Sequence, residues 1–115
     1  MAFPKLVANM NDEDMSDLIK QAREASELLK ALSHETRLLI LCLLSEGEKS
    51  VSELEDIMKM PQAAVSQQLA RLRLDGLVKA RREGRLIFYT IADSEVSSVV
   101  ETLYDLFCKP VRQDI

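Results

Sequence analysis

The strongest constraint on this chain is a change of hydrophobic period between residues 61 and 91, in the stretch PQAAVSQQLARLRLDGLVKARREGRLIFYTI. Val65, Leu69 and Leu72 recur at helical spacing, which predicts a helix with one buried stripe. Pro61 suits its first turn, where a missing N–H would be unpaired anyway. Gly76 supplies a residue that can close the helix in the left-handed region. From Val78 the period becomes two: Ile87, Tyr89 and Ile91 alternate with Leu86, Phe88 and Thr90, and Glu83-Gly84 marks the turn between two strands.

The side of the helix away from its apolar stripe carries Gln62, Ala63, Ser66, Gln67 and Arg71. Short and amide side chains can reach base edges in a major groove, a guanidinium can take phosphate or guanine, and the helix N-terminus favours anions. Lys79, Arg81, Arg82 and Arg85 surround the hairpin turn. A polar reading helix followed directly by an arginine-tipped hairpin is what a winged helix-turn-helix needs to grip DNA. The candidate DNA contacts are therefore Gln62, Ala63, Ser66, Gln67, Arg71, Arg81, Arg82 and Arg85. The same residues also fit a soluble amphipathic helix beside a hairpin with solvated charges, because such patterns are not highly specific in isolation.

The net charge of −4 argues against nucleic acid when taken whole, and its distribution reverses that argument. Residues 1–60 hold seven basic and twelve acidic side chains, residues 61–91 six and two, and residues 92–115 two and five. The positive field is confined to the helix and hairpin, and local potential decides whether a phosphate backbone is attracted. At 115 residues, with 47% apolar and 30% charged side chains, the expectation is one folded domain. No apolar run reaches membrane-spanning length and the N-terminus lacks the order of a secretory signal, so a cytoplasmic protein without membrane contact is expected.

In chain order, residues 1–14 read as a mobile N-terminal arm, residues 15–110 as the DNA-binding and dimerisation domain, and residues 111–115 as a C-terminal tail. A first helix from about Ser16 to Leu32 carries the stripe Leu18, Ile19, Ala22, Ala25, Leu29 and Leu32. Ser33 is placed to cap a second helix whose run Leu38–Leu44 is apolar all round, which predicts a central, fully buried element. Ser50 and Glu53 match a capping box that opens a third helix burying Leu54, Ile57 and Met58. After the hairpin, Asp93 caps a fifth helix that Pro110 should stop. The expected fold is mainly α with a β-hairpin wing: a winged helix-turn-helix of five helices, homodimeric through helices 1 and 5.

Cys42 and Cys108 stand far apart, with no CxxC and a single histidine, which gives neither a disulfide scaffold nor a spaced zinc motif. His34 opens the second helix and suits a structural role. Cys42 lies inside an apolar run, where burial should raise its pKa and slow it, and it also fits a plain core hydrophobe. Cys108 continues the register of Glu101 and Tyr104 at the edge of an apolar stripe, in easier reach of solvent.

The segments LKALSHETRLLIL, SVSELEDIM, AAVSQQLARLRLDGLV and RREGRLIFYTI, in this order, resemble the ArsR/SmtB family of bacterial winged-helix repressors, from about Glu24 to Phe107. One departure is Gln68, where many members have histidine. The resemblance implies a homodimer on operator DNA with an inverted repeat. Metal-sensing members carry thiolates on the third helix or histidines on the fifth. Here Glu53-Leu54-Glu55-Asp56-Ile57-Met58 has no thiolate and Asp93–Phe107 has no histidine, so no metal site and no cofactor is expected. The remaining pair, Cys42 and Cys108, resembles the sulfide- and persulfide-responsive branch, the BigR and SqrR type. That likeness implies redox sensing, in which reactive sulfur species link the two thiols, the operator is released, and sulfide-detoxification genes are controlled. The competing expectations are a metal or general oxidant as signal, or a helical interaction module that does not bind DNA. No catalytic triad or cofactor fingerprint points to an enzyme.

Overall fold

The computed structural model describes residues 11–113, in two units that divide after Lys30. In the first unit the described residues lie almost wholly in α1 (Asp12–Leu32), whose last residues, Ala31 and Leu32, belong to the second unit and are buried there. Asn11 opens this helix: its side-chain oxygen accepts from the Asp14 N–H at 2.7 Å, and Asp12, Glu13 and Asp14 meet the positive end of the helix dipole. The acidic cluster expected to lie in a mobile arm is therefore the first helical turn, and α1 starts four residues before Ser16. The rest of that expected arm, residues 1–10, lies outside the described residues.

The second unit runs α2 (Glu35–Leu44), β1 (Lys49–Ser50), α3 (Val51–Met58), α4 (Gln62–Leu74), β2 (Val78–Glu83), β3 (Leu86–Ile91), α5 (Ser94–Leu103), a π-helical turn (Tyr104–Cys108) and α6 (Lys109–Gln113). Its core is built from Ile40 and Leu41 of α2, Leu54 of α3, Val65, Leu69 and Leu72 of α4, and Val100 of α5, all fully buried. α2 is central, as its apolar run predicts, and packs on α4, α5 and β3. It is not buried on every side, because Leu39 reaches solvent. Its cap is His34 rather than Ser33: Nδ1 accepts from the Arg37 N–H at 3.4 Å, while Arg37 Nε donates to the Ala31 carbonyl at 3.0 Å.

The capping box at α3 forms as its residues dictate, with Glu53 N–H donating to Ser50 Oγ at 3.1 Å and Ser50 N–H to Glu53 Oε1 at 2.9 Å. Ile57 is 50% exposed, against expectation, because Leu54 alone takes the core position on this short helix. Lys59 ends α3 at φ 57°, a left-handed conformation costly for a residue with a Cβ, and turns the chain into α4. Pro61 is the residue before α4, one position earlier than expected, with extended φ and ψ. At the far end Gly76, at φ 77°, donates to the Arg73 carbonyl and Leu77 to that of Leu72, the paired bonds of a Schellman closure.

β2 and β3 form the expected hairpin, from Val78 opposite Ile91 to Glu83 opposite Leu86. The two loop residues are Gly84 and Arg85, and the φ of 63° at Gly84 supplies the positive angle such a turn needs at its first position. The sheet has a third strand, β1, whose Lys49 and Ser50 lie opposite Tyr89 and Phe88, giving the order β1-β3-β2. Asp93 caps α5 by accepting from the Val96 N–H at 2.9 Å.

Pro110 does not stop the last helix. The Lys109 N–H reaches back five residues to the Tyr104 carbonyl, and the helical path continues through Pro110 to Gln113. Proline has no N–H for the Leu106 carbonyl and its ring would strike that oxygen in a regular α turn; a widened turn just ahead of it makes room for the ring. Residues 111–113, expected to be tail, are helical as a result.

Candidate functional site

The helix and hairpin supply one candidate surface. In α4, Gln62, Ala63, Gln67 and Arg71 are exposed and Ser66 is half-buried, while Val65, Leu69 and Leu72 turn inward. The apolar stripe thus fixes which way the polar side faces. Pro61 contributes no side-chain cap, so the backbone N–H groups of the first turn keep their positive end for an anion. Arg71 is paired along the helix with Asp75 at 3.2 Å. At the wing, Arg82 and Arg85 are exposed and have no carboxylate partner among the described residues.

Arg81 is placed differently. Its Nε and Nη2 donate to Glu48 at 2.7 and 2.6 Å, its Nη1 donates to Glu83 at 2.8 Å, and its guanidinium carbon lies 4.6 Å from the centre of the Phe88 ring. Hydrogen bonding to Arg81 holds the Glu48 carboxyl below its ordinary pKa, and the two carboxylates in turn raise that of Arg81. Nothing in the local sequence pairs residues 48 and 81. The bond depends on β1, which sequence reasoning missed.

The second candidate site joins α2 to the π turn. Cys42 is 3% exposed, Cys108 is half-buried, and both thiols are free. Cys108 is close enough to perturb the Cys42 thiol. Burial, first, and then the neighbouring Cys108 and the Glu46 carboxylate push the Cys42 thiol up to about 12, so Cys42 is a protonated thiol at neutral pH. Glu46 accepts from the Tyr104 hydroxyl at 2.8 Å and lies 3.7 Å from Lys49 Nζ, joining the π turn to the start of β1. Sequence reading named the two cysteines and missed Glu46 and Tyr104, whose meeting depends on how α2 packs on the last helix.

A winged fold, a polar helix face and a cationic wing make a DNA-binding protein the natural comparison. A family model described as bacterial regulatory protein, arsR family, matches residues 34–80. The chain is 44% identical over 102 residues to the transcriptional activator HlyU of Vibrio cholerae, covering 89% of this chain and 92% of that protein. The chain belongs to the arsR family of bacterial regulatory proteins. A second relative, the biofilm growth-associated repressor of Xylella fastidiosa, is 43% identical over 107 residues, covering 93% of this chain and 91% of the relative. Among solved structures, reduced HlyU from Vibrio cholerae superimposes with a TM-score of 0.77 at 44% identity, covering 81% of this chain and 98% of that one. The repressor BigR from Xylella fastidiosa gives 0.75 at 44% identity, covering 82% and 93%. This arsR-family chain is accordingly a transcriptional regulator with a winged helix-turn-helix, not an enzyme.

Proposed function

We propose that this chain is a homodimeric, cytoplasmic repressor that holds operator DNA while its thiols are reduced and lets go when persulfides or polysulfides link Cys42 to Cys108. The observation that carries this is the thiol pair itself: two cysteines remote in sequence meet between α2 and the last helix of a DNA-binding fold. Cys108 is the more accessible of the two and attacks first, whereas Cys42 keeps its proton until a bound sulfur is presented to it. With an organic trisulfide RS–S–SR, the Cys108 thiolate takes the central sulfur and expels one RS⁻. Cys42 then attacks that sulfur, giving Cys–S–S–S–Cys and a second RSH. The thiols lose two electrons and the trisulfide gains them.

Dimerisation through α1 and the last helix is supported by the apolar residues that the last helix leaves uncovered: Leu106, Val111 and Phe107, the latter 70% exposed. Each subunit would set α4 in a major groove through Gln62, Ala63, Ser66, Gln67 and Arg71, with Arg82 and Arg85 at the adjacent backbone and half-sites about one helical turn of 10 to 10.5 bp apart. The link would tie α2 to the interface helix, and a coupling of about 1–3 kcal/mol suffices to change occupancy. The genes controlled would be those that dispose of sulfide.

The test is a gel shift on DNA from its own promoter region, with and without glutathione persulfide. Cys42→Ser and Cys108→Ser are expected to keep DNA binding and lose release. Release retained in both variants overturns the scheme. A general oxidant is the second reading, since both thiols are free and neighbours. Mass spectrometry after peroxide and after persulfide separates the two, and equal linkage from both favours the oxidant.

A further inference from the structure

Arg81 carries a role that its place among the wing cations conceals. It sits on β2, opposite Phe88 of β3, which in turn lies opposite Ser50 of β1. To reach Glu48, just ahead of β1, its side chain crosses the central strand over the Phe88 ring. The guanidinium therefore spans the sheet from one edge to the other. Its Nε, Nη1 and Nη2 are all engaged by carboxylates, and Glu48 takes it with both oxygens in the fork geometry that fixes direction as well as distance. Glu48 and Glu83 together outweigh its single charge, so a phosphate approaching here meets a guanidinium whose charge is already taken. β1 is only two residues long, and its backbone pairing alone holds the α2–β1 connection to the wing through a short ladder.

We propose that Arg81 is a positioning residue: it straps the wing to the α2–β1 connection through Glu48 and leaves the wing's phosphate contacts to Arg82 and Arg85. This rests on the proposed contact between wing and DNA. A phosphate ligand and a strap respond differently to salt, because each lost phosphate contact lowers the slope of log affinity against log salt by about 0.9.

The experiment measures binding to duplex DNA from the chain's own promoter region across a salt series, for the full chain and for R81Q, R82Q, R85Q, R81E and the charge exchange E48R/R81E. Amide exchange of β2 and β3 is followed in the same proteins without DNA. R82Q and R85Q are expected to lower the slope by about 0.9 each. R81Q should weaken binding about two- to fivefold at low salt, with a slope changed by much less than the roughly 0.9 of a lost phosphate contact, and should speed wing exchange. E48R/R81E should recover most of the affinity and protection lost in R81E, since it rebuilds the strap with its ends exchanged. A slope lowered in R81Q as in R82Q, or an exchanged pair as weak as R81E, overturns the proposal. If R82Q and R85Q leave affinity and slope untouched, the contact between wing and DNA is what fails. Amide exchange then decides the strap by itself: protection lost in R81Q and regained in E48R/R81E supports it, and unchanged exchange rejects it.

Discussion

Cys42 and Arg81 are both perturbed by a neighbour brought close only by folding, yet opposite forces dominate them. At the thiol pair desolvation comes first: Cys42 is almost wholly buried and its neutral form is favoured. At the wing hydrogen bonds to opposite charge come first, in contact with solvent, and the charged forms of Glu48 and Arg81 are favoured. Burial thus favours the neutral thiol at the first site, while exposure makes the second strong in geometry and sensitive to salt.

The largest expected contrast is in packing. Leu41→Ala, beside Cys42 and fully buried, should destabilise by about 2–5 kcal/mol in denaturant unfolding, whereas Leu86→Ala at the exposed wing should stay within about 0.5 kcal/mol. Comparable losses at both positions break the distinction between the two regions.

Alkaline pH gives the next largest effect. A thiol raised from its ordinary 9.0 to about 12 remains protonated in the fold while the unfolded chain has already ionised. Its contribution is therefore whole below about pH 9 and is lost as pH rises toward 12, with a slope of up to about 1.4 kcal/mol per pH unit. Unfolding curves of the natural chain and of Cys42→Ala, compared over that window, should converge as pH climbs. Parallel curves would show that desolvation does not govern the thiol.

Ser50 stands between the two regions, buried, opposite Phe88 in the sheet and capping α3. Ser50→Ala should cost about 1 kcal/mol of stability by thermal unfolding, with little salt dependence. The smallest effect belongs to Glu48→Gln. The Glu48 carboxyl, lowered by Arg81, contributes above its ordinary pKa and loses that contribution as pH falls through the lowered value. The difference between Glu48→Gln and the natural chain should shrink at acid pH and in high salt. A difference that persists in 1 M salt would mean that the wing pair behaves like a buried one.

Much of the framework was legible from local pattern. The stripe Val65, Leu69 and Leu72, the Ser50–Glu53 box, the Asp93 cap and the Gly84 turn each follow from residues within a few positions of one another, where helix and hairpin geometry leave little choice. The start of α1 was misread because an acidic cluster is compatible both with a solvated arm and with a helix N-terminus, and the Asn11 cap decides between them. β1 was missed because two residues carry no period.

The sequence by itself determined which faces are apolar, where helices start and turn, and that positive charge is gathered between residues 61 and 91. Tertiary structure alone decided that Cys42 meets Cys108, that Arg81 is taken by Glu48, and that Pro110 is accommodated by a widened turn rather than ending the helix. One extra residue in that turn rotates everything beyond it by about 100°, so the direction in which Cys108 points cannot be read from α-helical spacing. Local propensities act over one or two turns of chain. Contacts between residues thirty or sixty positions apart exist only once the packing of α2, the sheet and the last helix has brought them within a few ångströms.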